Sequence, residues 1–395
     1  MSIFTLSFNQ NKENILAQKI KVFIDVFYYQ AALSGIRTYI NELVLGAKNS
    51  ENKNIEYFFS HDINQWDQNH KFLNPKNRLS RLCFHFYYFF WKQVILPFKI
   101  LKHKPNVLIC PDFVAPLWHL KTLKLCVIHD TLFWDYPKNY SVLWRKYYTK
   151  LISLGLRGNS SIITTSNYVK SNLESLFSKQ NFSINVIYQS FIKTKTDDDS
   201  ILKTLNLEDS DFLFHVGSFD KRKDLITLVK AFKLLKEDKT NDHLKLVLTG
   251  QKILNGNTLV LNELESYIFT NNLSKSVLMT GYLSDAEISS LYKKALIYVF
   301  PSVEEGFGIP ILEAFAMRTP VVASNAAAMV EVADGAAEHY NAGDHIELSK
   351  TLSKLITSKT IRTYLVEKGT ERLKGFSRER FVKDYERLIL KSVKN

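Results

Sequence analysis

The sequence predicts an α/β protein built from two Rossmann-like, doubly wound parallel-sheet domains. Three observations carry that expectation. Short β-branched or aliphatic runs alternate with helical patterns along nearly the whole chain. The runs are apolar throughout rather than alternating, as strands covered on both faces by helices must be. The alternation comes in two sets, and 395 residues is a length of about two to three domains.

In order, residues 21–25, 55–59, 107–109, 123–128, 162–165 and 184–188 are the strands expected in the first half, with helices over 39–47, 142–156 and 168–177. The second half offers strands at 212–216, 244–249, 277–280, 297–300 and 321–323. After the first of these, Leu225, Leu228, Val229, Phe232 and Leu235 recur at helical spacing. Ser284 and Glu287 form a capping-box pattern, and Pro310 suits the first turn of a helix running through Leu312 and Phe315. Residues 193–200 contain no apolar side chain and read as a linker. It separates a first domain, 1–192, from a second, 201–375, after which a closing helical segment follows at 376–395. Asp197 and Asp199 in that linker have a spacing some metal sites use, but no buried strand delivers them to a cleft, so no metal is expected.

With 46% hydrophobic and 13% aromatic residues the chain is neither disordered nor a disulfide scaffold. Cys83, Cys110 and Cys126 are too few and too scattered for a zinc site and fit a reducing compartment. The start lacks the pattern of a secretory signal, and the longest apolar stretch, 82–91, is far short of the roughly 20 residues of a membrane span. The expected location is therefore the cytoplasm, with peripheral contact at the inner face of the membrane open. The net charge of +13 favours an anionic partner: nucleic acid, a lipid surface or a phosphorylated substrate. Much of it lies in residues 68–111, where Lys71, Lys76, Arg78, Arg81, Lys92, Lys99, Lys102 and Lys104 occur without one Asp or Glu. Arg81, His85, Lys92, Lys99 and Lys102 fall near one helical stripe, beside Phe84, Phe86, Phe89, Phe90, Val94 and Ile95. Residues 78–104 thus read either as a basic edge meeting an anionic membrane or as a helix packed as core with its edge solvated.

Two segments concentrate chemistry. The stretch from Pro301 to Ala314 leaves a strand through a glycine-bearing loop and enters a helix, at the strand end where parallel sheets bind ligands. Gly306 and Gly308 permit close backbone approach, and helix-start amides can hold an anion. Glu305 and Glu313 bracket the turn and can accept hydrogen bonds from sugar hydroxyls; alternatively Glu313 only complements the helix dipole. In the second segment, Gly217 to Leu225, the run Lys221-Arg222-Lys223 stands at a helix start, against the dipole. A bound diphosphate would relieve that conflict, and a solvated basic turn is the alternative.

The first segment resembles the E-x7-E motif of glycosyltransferase family 4, retaining enzymes of GT-B fold; Gly-Phe-Gly-x-Pro-x-x-Glu, from Gly306 to Glu313, matches residue for residue. The resemblance implies that Glu313 holds the donor ribose and that Glu305 lies near the donor sugar and leaving phosphate. Phe307 and Ile309 fall within the same donor-binding turn. The second segment is similar to the family's donor-phosphate element, which makes Arg222 and Lys223 diphosphate ligands beside Gly217, although Ser218 stands where many members have Arg. In the first half, Gly35 resembles the family's glycine loop near the donor phosphate, with one glycine where many members have two. His129-Asp130 resembles the family's His-Asp element, which implies that His129 faces the donor sugar or the acceptor. A structural hydrogen bond for His129, and a helix cap for Ser166, remain alternatives on the residues alone.

What the resemblance implies is transfer of a hexosyl unit, with retention and without metal or cofactor, from a nucleotide-diphosphate sugar to a hydroxyl of a glycan or lipid-linked acceptor. GDP-mannose is preferred to a UDP-sugar as the donor. Nucleic acid is not an expected partner, since a polyanion binder gains nothing from paired carboxylates. Another GT-B enzyme such as a sugar-nucleotide epimerase, or a basic membrane-binding protein without catalysis, is the alternative.

Overall fold

The computed structural model describes residues 19–32, 35–64, 78–191, 197–252 and 258–394. Its described residues form two compact units. The first gathers the chain up to Thr165, Val169–Ser190 and the last helix; the second gathers Ser166–Tyr168 and Phe191–Ser377.

In the first unit, strands β1 (Ile20–Ile24), β2 (Ile55–Phe59), β3 (Val107–Cys110), β4 (Leu123–Ile128), β5 (Ser160–Thr164) and β6 (Ser183–Val186) form one sheet ordered β2-β1-β3-β4-β5-β6. Every pairing is parallel. β3 and β4 are buried at every residue, which is why their sequences show no polar alternation. Helix α1 (Gly35–Lys48) covers one face through Tyr39, Ile40, Leu43 and Val44. The last helix, Arg378–Lys394, lies against α1: Arg378 donates twice to the buried Glu42 at 3.0 Å, and the Tyr39 and Tyr385 hydroxyls meet at 2.5 Å. Gly46 permits that approach, since a Cβ there would stand 2.1 Å from Val382 Cγ2.

The basic segment departs from the helical stripe. It runs as α2 (Arg78–Phe90), a π-turn at Trp91–Ile95, and α3 (Leu96–His103). Pro97 brings no N–H to the helical ladder, and the wide turn sits just ahead of it. The expectation that Lys92 belongs to an exposed edge is wrong. Lys92 is fully buried, with Nζ 2.7 Å from Asp25 and 2.6 Å from Asp112. These aspartates follow β1 and β3, the strands between which the sheet order reverses. His85 packs on Trp144, and Lys99 lies over the Trp91 ring at 5.8 Å. The outward face is instead apolar: Leu82, Phe86, Phe90, Phe98 and Leu101 are exposed, with Lys102 and Lys104 exposed at its end. Lys71 and Lys76 lie outside the described residues, as do the side chains of Arg78 and Arg81.

In the second unit, β7 (Phe212–Val216), β8 (Lys245–Thr249), β9 (Val277–Gly281), β10 (Ile297–Phe300), β11 (Val321–Ser324) and β12 (Glu338–Tyr340) form a second parallel sheet, ordered β12-β11-β10-β7-β8-β9. β12 has no apolar run to betray it. Helix α4 (Leu225–Leu235) packs Leu228, Val229 and Phe232 into the core with Leu246 and Val299. Helix α5 (Asp285–Lys294) carries the expected capping box, and α6 (Ile309–Ala316) follows β10 with Pro310 in its first turn. Of the linker, residues 193–196 lie outside the description; Asp197 pairs with Lys293 and accepts from Ser289 Oγ at 2.7 Å.

Candidate functional site

The second sheet reverses direction between β7 and β10, and a doubly wound sheet binds ligands beyond the carboxyl ends of the strands at such a point. The loops that leave these two strands carry the two motifs. They are tied directly, since Val303 N–H donates to Arg222 O at 2.8 Å. Residues far apart in sequence are thereby brought together.

The basic run is not the start of the long helix, as expected, but a separate 3-10 turn, Lys221–Lys223. Asp220 caps it, accepting from Arg222 N–H, and α4 begins only after Asp224, a residue in left-handed conformation. The turn sends its basic residues different ways. Lys221 is exposed, whereas Lys223 is buried and its Nζ meets Glu305 Oε1 at 2.5 Å. Nζ also lies 5.0 Å from the Phe300 ring centre. Arg222 is held by Asp220 at 3.3 Å.

Gly217 N–H donates to Thr249 O, and here the backbones touch. A Cβ on Gly250 would stand 2.0 Å from Gly217 O, and φ of Gly250 is +139°. Gly308, at φ +108°, turns the chain into α6, placing Ile309 at the helix start. Gly306 has no such positive φ; its carbonyl accepts from Ser166 Oγ at 2.7 Å. Phe307 is buried against Phe376. Glu313, one turn into α6, is partly buried and sits 3.0 Å from the Tyr292 hydroxyl. Burial pushes its carboxyl up to about 7, and the Tyr292 hydrogen bond opposes the shift.

Gly217, Arg222, Lys223, Glu305, Gly306, Phe307, Gly308, Ile309 and Glu313 therefore share one unit. Gly35 and His129 belong to the other. Gly35 opens α1. His129 follows β4, with Nε2 2.8 Å from Pro111 O and the ring edge-on to Tyr39. Burial pushes its pKa down to about 4, leaving a neutral ring whose Nε2 is committed to a carbonyl. Two polar side chains at the second-unit site were not singled out from sequence: Tyr292, on Glu313, and His215, beneath the Gly217 loop.

Charged and apolar groups so arranged can neutralise a diphosphate with Lys223, Arg222 and helix-start amides while Glu313 accepts hydroxyls. Among the described residues no cluster of three or more His, Cys, Asp or Glu side chains could hold a metal.

Comparison with known proteins follows the same line. Residues 197–372 match the model of glycosyl transferases group 1. The chain is 27% identical over 62% of its length to the O-antigen chain mannosyltransferase RfbU of Salmonella typhimurium, spanning 64% of that protein. It is 24% identical over 68% of its length to the O-antigen chain mannosyltransferase B of Escherichia coli, spanning 70%. The chain thus spans about two thirds of these relatives. A crystal structure of a glycosyltransferase from Rickettsia africae ESF-5 superposes over 95% of this chain and 99% of that one, with TM-score 0.65 and 17% identity. Residues 197–372 thus match a glycosyl transferases group 1 domain, and the fold is the GT-B fold of solved glycosyltransferases.

Proposed function

We propose that this protein transfers a mannosyl unit from GDP-mannose to a hydroxyl of a growing surface glycan, free or lipid-linked, with retention and without a metal or cofactor. The observation that carries the donor site is the pairing of Lys223 with Glu305 beyond the carboxyl ends of β7 and β10, near enough to Glu313 for the lysine's charge to act on it. The sugar and the glycan are supported by the two relatives' names, both O-antigen chain mannosyltransferases.

In the step, the bond from the sugar's anomeric carbon to the diphosphate oxygen breaks, and a bond to the acceptor oxygen forms on the same face. The acceptor proton passes to the departing phosphate. Lys223 and Arg222 neutralise the charge that develops on it, usually the largest catalytic contribution. Glu313 holds the ribose, and Glu305, released from Lys223, accepts from the sugar.

The apolar face of α2 and α3 supports a lipid-bearing acceptor and a cytoplasmic membrane surface as the workplace. Phe86 is 73% exposed and Phe98 59%, with basic residues at one end of the face. Among the described residues no helix is long and apolar enough to cross a membrane.

A thermal-shift panel of nucleoside diphosphates and their sugars tests the donor reading. GDP and GDP-mannose should raise the melting temperature of the wild type and do so much less for Glu313→Ala and Lys223→Ala. Stabilisation by no nucleotide would overturn the reading.

A further inference from the structure

The loop after β7 rests on a buried imidazole to which neither motif gives a role. His215 is fully buried on β7, and its Nδ1 is 3.0 Å from Val299 O on β10. A carbonyl oxygen only accepts, so Nδ1 carries the proton and Nε2 is left with a lone pair. That Nε2 is buried without a hydrogen-bond partner among the described residues. It faces the loop: a Cβ built on Gly217 would stand 3.1 Å from Nε2 and 3.3 Å from Lys223 Cε. The empty acceptor and the end of the lysine stem thus border one point. The ring lies nearly parallel to Tyr298 and Phe300, and Lys223 Nζ sits over that same Phe300.

An unfilled buried acceptor is unfavourable, so an imidazole here calls for a state in which it is filled. Burial pushes the His215 pKa down to about 3, with Lys223 adding to the shift, so the ring stays neutral and can only accept at Nε2. A bare lone pair repels phosphate oxygens but suits an ammonium, which has three N–H donors. Lys223 now spends itself on Glu305. A diphosphate bound in the loop would compete with Glu305 for Nζ.

We propose that His215 is a positioning residue for Lys223, its Nε2 accepting from Nζ when a nucleoside diphosphate separates the lysine from Glu305. The inference rests on the donor reading above and adds a residue to it.

The test is titration calorimetry of the full chain with GDP, UDP and the corresponding monophosphates, on wild type, His215→Phe, His215→Gln and Lys223→Ala. His215→Phe retains an aromatic ring between its neighbours but removes the acceptor. It should leave monophosphate affinity within about twofold and weaken the preferred diphosphate about tenfold, as loss of a hydrogen bond to a charged group does. His215→Gln, whose amide oxygen accepts, should recover most of the loss. In a Lys223→Ala background His215→Phe should cost nothing further. Full diphosphate affinity in His215→Phe, equal weakening of mono- and diphosphates, or a loss that persists without Lys223 would each overturn the inference while leaving the donor reading intact. A wild type that binds no nucleotide would overturn both.

Discussion

Lys223 and Glu305 neutralise each other at 2.5 Å, and in the proposed mechanism both turn to the donor. On that proposal, removing the lysine takes a buried cation from the departing diphosphate. Lys223→Ala should therefore lower kcat by about 10²–10³-fold, measured with the donor that stabilises the wild type. Glu313 makes a pH prediction. Its carboxyl is raised from an ordinary 4.5 to about 7, so it takes up a proton as pH falls below about 7 and then accepts hydroxyls poorly. The donor KM should rise on that acid side. The stability sign is opposite: between those two values the folded chain holds a proton that the unfolded chain has lost, so this group's contribution falls as pH rises. Glu313→Gln should raise the melting temperature at pH 8 more than at pH 5, while weakening donor binding at both. A variant less stable than wild type at pH 8 would contradict this account. Glu305, Glu313 and the basic run were legible because each motif is a short continuous segment whose chemistry survives without knowledge of the fold. Tyr292 and His215 were not, because their meaning comes from Glu313 and from Val299 on β10, partners the chain reaches only after folding.

At the scale of elements, strand positions could be read because buried parallel strands leave continuous apolar runs, and six-residue β4 is bounded as expected. Three-residue β12, with Glu338 and His339, leaves none. Helical periodicity misled between Arg78 and His103, where a π-turn resets the count and carries Lys92 from a notional edge into the interior. There Lys92 bridges aspartates that follow β1 and β3. Burial works to raise Asp25, but Lys92 and hydrogen bonds from Phe27 N–H and Trp91 Nε1 outweigh it and hold that carboxyl below its ordinary range. Breaking such a buried ion network strands charges, so Lys92→Met should destabilise the protein by about 3–5 kcal/mol in denaturant titration, far more than an exposed lysine would. A cost below about 1 kcal/mol would mean that the network is not formed.

For the whole molecule, the charge of +13 is shared among unlike tasks. One lysine of the basic segment is a buried structural ion, and Lys102 and Lys104 stand beside an apolar face. Lys223 and Arg222 are assigned to the proposed donor site. If the apolar face of α2 and α3 meets lipid, Phe86→Ser with Phe98→Ser should reduce co-sedimentation with phosphatidylglycerol vesicles several-fold and leave nucleotide binding unchanged. Undiminished sedimentation would assign that face to something other than a membrane. The most direct test of the central claim is transfer itself, followed by NMR with GDP-mannose, a mannose-bearing glycolipid acceptor and excess EDTA. The account predicts a new α-linked mannose, matching the donor's anomeric configuration, formed by wild type and nearly abolished in Lys223→Ala. Transfer with inversion, transfer stopped by EDTA, or full activity without the Lys223 ammonium would contradict it.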